Sequence, residues 1–459
     1  EIASCLVGSE MCIRDRGCTM PFKFAFIGQD IPMHLPFLLV DFLYAGKEDG
    51  ILAVEEKNAA MRDVLQHYAE AIVYASGRKA QIIVSGNRQE VLMGADCVVY
   101  AGDCMAATRF RQDQEALGGV KEDDPGLSDQ ARVHGGIEGL MHTLRQGEVV
   151  LDLCRNMRSA CPKAIVVTLG QPVARTTQLF LGAGFQAYGL DDAAYRGNTV
   201  PRLAKALFRK EDAVEAVTAG LPGFSFLVSL REKGKNVDLI PALRQMAEED
   251  KLGRLTHRWL GWYDAIAVGD VVRHAEFLAA EEDYIPEENP TFGESIEKRK
   301  ERIAHMNTIG HEGAKTPDGM TVQLMLLKDT PPTRPVRLAL AILRKETAVI
   351  PAVAQQNRGE LPQLPPNAII ESDLHLADGL VQPQGIRVPA PLAEIMMDID
   401  ETNRLAALAA TGDWSALREA VEVDPALEGL DRLYVQEVVR RLVQLNGDVL
   451  SRLVDDEEF

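Results

Sequence analysis

The sequence predicts an α/β protein whose first part is a doubly wound parallel sheet, followed by a second lobe of α+β character. Two observations predict it. The first 200 residues carry six short apolar runs, "FKFAFIG", "GILAVEE", "QIIVSGN", "DCVVYAG", "AIVVTLG" and "FQAYGLD", each ending in turn chemistry and separated by helical patterns. Strands that are apolar throughout and alternate with helices belong to a parallel sheet covered on both faces. Past residue 200 the pattern changes: "AGLPGFSFLVSLREKGKNVDLIPALRQ" reads as β structure, a turn at Gly234 and an amphipathic helix. At 459 residues the chain exceeds one ordinary core, and with about 150 residues per domain as a guide we place the boundary at 200, giving domains 20–200 and 201–459.

The first two strands, with a helix beginning near Pro36, form a βαβ unit of the kind that seats a dinucleotide. Its turn, "IGQDIPMHLP", keeps Gly28 and places Gln29 and Asp30 at the helix start, but it lacks the second and third glycines of G-x-G-x-x-G. Glu55 and Glu56 end the second strand, where an acid meets a ribose hydroxyl. These five residues are the candidate NAD contacts. A doubly wound domain that has lost its nucleotide is the competing reading. Residues 281–333, rich in Glu, Lys and Pro, read as a solvated helix and loops, with "EEDYIPEEN" a solvated loop. The tail from Pro391 is helical, and "VQEVVRRLVQLNGDVLSRL" has apolar spacing suited to packing on a core or a second subunit.

Residues 1–19 read as translated adapter sequence, a non-native leader, with Met20 the natural start. Three of the seven cysteines fall within that leader. Cys97, Cys104, Cys154 and Cys161 lack metal-ligand spacing and read as core thiols of a reducing compartment. A formal charge of −19, from 68 acidic and 49 basic residues, opposes nucleic acid and anionic membrane, and no apolar run reaches the roughly 20 residues a membrane span requires. A cytoplasmic protein acting on a small molecule, as a homodimer or homotetramer, is expected.

The pieces "RQEVLMGADCVVYAGD", "RVHGGIEGLMHTLRQG", "CPKAIVVTLGQP", "AGLPGFSFLVSLREKGKNVDLIPALR", "GWYDAIAVGDVVRHAEFL" and "QNRGELPQLPPNAIIESDLHLADGLVQP" together resemble glycoside hydrolase family 4, the NAD- and divalent-metal-dependent glycosidases, from Met20 onward. The resemblance implies a Rossmann-type domain related to lactate and malate dehydrogenases, followed by an α+β substrate domain like theirs. It also implies a chemistry unlike that of two-carboxylate glycosidases. Hydride leaves C3 of a sugar or sugar phosphate for NAD, a tyrosine removes the C2 proton, and a divalent metal such as Mn²⁺ or Mg²⁺ stabilises the enediolate. The aglycone then leaves C1 with help from an acid, water adds, and the ketone is reduced again.

Carried over residue by residue, the resemblance places Asp191 where the family has a metal-binding cysteine, replacing a soft ligand by a hard one, and Asp192 at the position of the acid. Pro222 and Gly223 stand where the family has Asn and its metal-binding His. Gln171 and Pro172 replace the family's Asn-Pro, keeping an amide for a sugar hydroxyl. Tyr263 in "GWYD" is the expected base, with Tyr284 or Tyr195 as substitutes. Arg109, Arg111 and Asp113 in "RFRQDQE" lie where the family contacts substrate. Gln171, Asp191, Asp192 and Tyr263 are expected to converge on one cleft. Plainer readings stand beside these: Asp191 and Asp192 as a helix cap, Tyr263 beside Trp262 as packing, and His134 and His142, seven apart, as satisfied histidines rather than ligands. Three functions stay open: a glycosidase with a rebuilt metal site, a sugar or hydroxy-acid oxidoreductase, and a catalytically silent homologue.

Overall fold

A computed structural model describes residues 21–45, 50–102, 109, 112–113, 116, 134–191, 200–235, 237–249, 251–252, 254–268, 274–279, 296–313, 334–450 and 453. The six predicted strands all form: β1 (Lys23–Ile27), β2 (Gly50–Glu55), β3 (Ala80–Ser85), β4 (Cys97–Tyr100), β5 (Ile165–Thr168) and β6 (Ala187–Leu190). They pair in parallel in the order 3-2-1-4-5-6, the dinucleotide-binding arrangement, with the order reversing between β1 and β4. Their uninterrupted apolar character follows from burial on both faces: Ala25, Ile27, Val98 and Val166 enter one core, while Phe24, Phe26, Val99 and Val167 enter the other.

The intervening helices are α1 (Ile31–Ala45), α2 (Ala59–Ser76), α3 (Arg88–Leu92), α4 (Gly136–Ala160) and α5 (Val173–Gly182). Asn58 caps α2 by accepting the Met61 N–H at 3.2 Å, and Gly77 ends it with φ 66°. The first helix begins at Ile31, a turn before the expected Pro36, which lies inside it. Pro32 sits in the first turn, where a missing N–H leaves no bond unmade.

The second lobe continues the same sheet. After α6 (Val200–Ala206), β7 (Val214–Leu221) and β8 (Phe224–Glu232) form a hairpin turning at Pro222 and Gly223. The short β9 (Val237–Asp238) follows the Gly234 turn, and then come the predicted amphipathic helix α7 (Ile240–Glu248), α8 (Arg254–Tyr263) and β10 (Ile266–Ala267). Helix α9 (Ile296–Glu312), expected to be solvated, instead buries Met306 and Ile309 in the core that also contains α1 and α2; the rest of 281–333, including "EEDYIPEEN", lies outside the described residues. After α10 (Pro335–Leu343) come β11 (Ala348–Gln356), β12 (Ile369–Ala377) and β13 (Leu380–Val381). Strand β11 pairs antiparallel with both β6 and β12, so the parallel and antiparallel halves share one sheet.

The C-terminal helices α11 (Ala390–Ala409), α12 (Trp414–Val423) and α13 (Arg432–Leu445) settle the question raised by their apolar spacing. Leu405, Leu417, Val439, Leu442 and Leu453 pack in the same cluster as Ile27, Val98 and Leu140 of the first half, so the tail belongs to the core. Cys97, Cys154 and Cys161 are buried free thiols, as expected; Cys104 lies outside the described residues. Among the described residues no helix is long and apolar enough to cross a membrane.

One cap in this framework is electrically unusual. Asp41 of α1 accepts the Val336 N–H at 2.7 Å and the Arg337 N–H at 3.3 Å, capping α10 from a neighbouring helix. Burial raises its pKa to about 7, and among the described residues its Oδ1 has no hydrogen-bond partner. A carboxyl whose folded-state pKa lies above its unfolded value stabilises the fold while protonated, and that contribution is lost as pH rises toward 7. The stability of Asp41→Asn relative to wild type should therefore rise between about pH 4 and 7, by at most about 1.4 kcal/mol per pH unit, and level off above that. Urea-midpoint measurements that keep a constant difference across this range would refute the assignment.

Candidate functional site

The carboxyl ends of the parallel strands present the polar residues of the molecule's centre. At β1, Gly28 adopts φ 132°, and a Cβ there would lie 2.2 Å from the Ala101 carbonyl oxygen. The β1–α1 turn is thus pressed onto the end of β4, which only glycine allows. Asp30 donates its N–H to that same Ala101 oxygen at 3.0 Å, and its carbonyl accepts from Met33 and His34 to start α1. Gln29 is exposed at the tip. At the end of β2 the two acids differ. Glu55 is buried and bound by Arg88 Nε, 3.0 and 3.1 Å from its two oxygens, while Arg88 Nη1 binds Asp152 at 2.8 Å. This departs from the ribose contact expected of Glu55. Glu56 is half-buried and accepts the Asn58 N–H at 2.8 Å.

The ends of β4 and β5 are tied together by a residue that attracted no attention in the sequence. Gln146, buried in α4, accepts from the Tyr100 hydroxyl at 2.6 Å and donates through Nε2 to the carbonyls of Gly102 at 2.6 Å and Gln171 at 2.9 Å. His142, one turn earlier on α4, is also fully buried, and burial with the Arg145 charge lowers its pKa to about 3. Both side chains on this face of α4 serve the loop after β5.

Gln171 then points its side chain at two others. Its Nε2 donates to Asp191 Oδ1 at 3.4 Å, and its Oε1 lies 3.1 Å from His134 Nε2. Asp191, buried directly after β6, lies with Oδ2 4.0 Å from the same His134 nitrogen. The other ring nitrogen of His134, Nδ1, sits 2.9 Å from Glu276 Oε2, which also accepts the His134 backbone N–H at 3.2 Å. His134 is therefore no passive core residue but the meeting point of Gln171, Asp191 and Glu276.

The segment carrying it is rigidly held. Buried Arg175 of α5 donates to the His134 carbonyl, to Gly139 O at 3.1 Å, to Thr143 Oγ1 at 2.8 Å and to Asn403 Oδ1 at 2.8 Å. Asp424 accepts the Gly136 N–H at 2.9 Å. The Phe277 ring lies 5.1 Å from the His134 ring. At Gly223, φ 80°, a Cβ would stand 3.2 Å from His134 Nε2, so the imidazole fills the room a side chain on the β7–β8 turn would need.

The remaining expected residues divide. Asp113 is buried and bound by Arg145 at 2.7 Å and by Asn446 Nδ2 at 3.2 Å, a correction to the sugar contact expected of it: its oxygens are turned into the protein. Arg109 pairs with Asp448 beyond α13. Tyr263, the last residue of α8, stacks on buried Trp259, with ring centroids 5.4 Å apart. Trp259 in turn contacts Phe224, and Phe224 contacts Phe277, so an aromatic chain runs between Tyr263 and His134. The convergence of Gln171 with Asp191 is present. Asp192 and Arg111, like Tyr195 and Tyr284, lie outside the described residues. Among the described residues no group of three His, Cys, Asp or Glu side chains is arranged to hold a metal ion.

A parallel sheet in 3-2-1-4-5-6 order, with polar side chains gathered at its carboxyl edge, defines an α/β protein with the strand order of the dinucleotide-binding folds, extended by an antiparallel second lobe. Within that class the profile of the "Family 4 glycosyl hydrolase" matches residues 52–186. The chain is similar in structure to a 6-phospho-alpha-glucosidase from gut microorganisms, solved with NAD and Mn²⁺, at TM-score 0.71 and 13% identity, over 94% of this chain and 99% of that one. It is also similar to the 6-phospho-beta glucosidase of Thermotoga maritima, solved with NAD and glucose-6-phosphate, at TM-score 0.66 and 15% identity, over 94% and 99%. The lplD protein of Bacillus subtilis aligns at TM-score 0.70 and 18% identity, over 92% and 99%. Comparison with curated proteins finds no match. The resemblance read from the sequence and the expected fold both stand.

Replacing Gln146 by Ala would leave the Tyr100 hydroxyl and two carbonyls without their present partner, at about 1–3 kcal/mol for each group left unsatisfied. Gln146→Ala should lower the denaturant midpoint accordingly and loosen the loop bearing Gln171. An unchanged midpoint would show that the tie carries no strain-bearing role.

Proposed function

We propose that the protein is an NAD-dependent glycoside hydrolase of the family 4 type, acting on a glycoside of a sugar or sugar phosphate. The single observation that carries this reading is the meeting of Gln171, Asp191 and His134 at the carboxyl edge of a 3-2-1-4-5-6 sheet, in a chain whose residues 52–186 match that family's profile. The reaction is one of oxidation at C3, proton loss at C2, departure of the aglycone from C1, addition of water and reduction back. NAD, when bound, supplies the hydride acceptor and donor, and a divalent ion supplies positive charge beside the developing oxyanion.

The chain's own residues have the following parts in this reading. The Gly28–Asp30 turn and the N–H groups at the start of α1 face the cofactor pyrophosphate, as helix starts do. Glu56 takes the ribose hydroxyls, because Glu55 is committed to Arg88. Gln171 offers its amide to a sugar hydroxyl, and its backbone is fixed for this by Gln146. Asp192 delivers the proton to the leaving oxygen, and Tyr263 takes the C2 proton. Arg109 and Arg111 remain candidates for contacts with substrate.

The absence of a ready three-residue metal group among the described residues favours the second reading, an oxidoreductase that performs only the hydride step. Two measurements separate them. NADH titration followed by fluorescence should saturate below millimolar cofactor; no saturable signal would remove both readings in favour of a silent homologue. Nitrophenyl glycosides, phosphorylated or not, should then be cleaved in the presence of Mn²⁺ and NAD. If NADH binds and no glycoside is cleaved with any divalent metal, the oxidoreductase reading takes its place.

A further inference from the structure

We propose that the end of β2 accepts a nicotinamide dinucleotide phosphorylated on its adenosine 2′-hydroxyl, so that the protein takes NADP(H) as well as NAD(H), with Arg62 and Lys57 meeting the phosphate. This acceptance rests on the NAD-dependent activity proposed above and adds the chemistry of the adenosine ribose to it.

In the dinucleotide-binding arrangement the two forms of the cofactor are told apart at the end of the second strand. A free carboxylate there hydrogen-bonds the 2′-hydroxyl, whereas a nearby arginine accommodates a 2′-phosphate. Here the acid is present but already engaged. Glu55, the last residue of β2, is buried, and its two oxygens lie 3.0 and 3.1 Å from Arg88 Nε at the start of α3. Its charge is matched by a cation and its oxygens are turned into the protein, so it neither reaches a hydroxyl nor confronts a phosphate. Two further acids at this edge are also held: Glu56 Oε1 accepts the Asn58 N–H at 2.8 Å, and Glu90 Oε2 accepts from Ser85 Oγ at 2.6 Å.

The bases show the reverse. The ends of β2 and β3 are tied by the Glu56 N–H on the Ser85 carbonyl at 3.0 Å, and Arg62, in the first turn of α2, lies over this junction. Its Nη1 donates to the carbonyls of Glu56 at 3.1 Å and Lys57 at 2.7 Å. A Cβ on Gly86 would stand 2.8 Å from that nitrogen, so glycine leaves the guanidinium its room. Carbonyl contacts fix a guanidinium without neutralising it. Among the described residues neither Arg62 nor Lys57 belongs to an ion pair, and Lys57 is exposed. The two carbonyls occupy one nitrogen of Arg62, and its other donors remain for a phosphate, which a guanidinium fork suits.

Glu56 is the group that opposes a phosphate here. It takes the ribose hydroxyls of NAD(H), and with the 2′-hydroxyl phosphorylated it keeps the 3′-hydroxyl, its charge faced by the unpaired Arg62 and Lys57. The balance of one available carboxylate against two available cations is what lets both forms of the cofactor bind.

The test is separate titration of the full-length protein with NADPH and with NADH, followed by fluorescence. Wild type should bind NADPH within about tenfold of NADH, and NADPH affinity should fall more steeply with added salt. Arg62→Ala should weaken NADPH by roughly tenfold, the size of one charge-assisted contact, and move NADH by less than about threefold. Lys57→Glu, an exposed change, carries the same expectation if the arginine variant does not fold, with NADH binding as the sign of a folded protein. Glu56→Gln should shift the ratio of affinities toward NADPH. NADPH bound more than about tenfold more weakly than NADH by wild type, NADPH affinity unmoved in Arg62→Ala and Lys57→Glu, or both nucleotides weakened alike by them would overturn the proposal while leaving the NAD-dependent activity in place. Saturation by neither nucleotide would overturn both.

Discussion

The molecule depends on one buried amide. Gln146 is fully buried in the middle of α4 and uses both ends of its side chain, accepting from Tyr100 and donating to the carbonyls of Gly102 and Gln171. Those carbonyls belong to the loops leaving β4 and β5, where a parallel sheet runs out of backbone partners. A buried carbonyl without a donor is costly, and water is excluded here, so the helix supplies the missing N–H groups. This fixes how far the two loops separate, and hence where Gln171 stands. Everything the site can do to a ligand at that edge starts from that position.

A second tier of constraints places His134. Arg175 spreads its guanidinium over the His134 and Gly139 carbonyls, Thr143 and Asn403, so α5, the start of α4 and α11 converge on one cation. Burial lowers the pKa of Arg175 to about 10, with Asp424 partly offsetting the effect, and it therefore stays charged at neutral pH. Asp424 and Glu276 then hold the backbone on either side. An imidazole carried on a segment anchored in this way has little rotational freedom, and preorganisation of this kind is what a reacting centre needs from its surroundings.

The strands of the parallel half were legible because burial on both faces leaves no room for polar alternation, and the sequence shows it as six apolar runs. Gly28 was legible for a related reason, since it follows such a run at the edge where parallel sheets present functional groups, whereas Gln171 and Asp191 were placed by the family resemblance. His134, Gln146 and Glu276 were not. His134 and Glu276 are 142 residues apart, and no local period or spacing encodes a pairing of that range. The partners of Arg109 and Asp113 were hidden on the same account. Asp448 and Asn446 lie more than 330 residues further on, beyond the reach of any local pattern and of the resemblance from which the substrate contacts were read. The start of α1 was displaced because Pro36 was taken as a boundary, whereas packing of Leu35, Leu38 and Leu39 holds the helix through it.

The placement of the C-terminal helices bears on how the chain comes to be folded. Apolar residues from Leu405 to Leu453 share a single cluster with Ala25 and Ile27 of β1. A nascent chain that has completed all six parallel strands still lacks the C-terminal helices that pack with α4 and α5 in that cluster, and some 200 further residues must be made before they arrive. Contacts of such sequence separation slow folding and lengthen the exposure of apolar surface. The parallel half is thus contiguous in sequence as a pattern but not as a folding unit: cut the chain after residue 200, and the apolar surface that α4 and α5 turn toward the C-terminal helices is left bare.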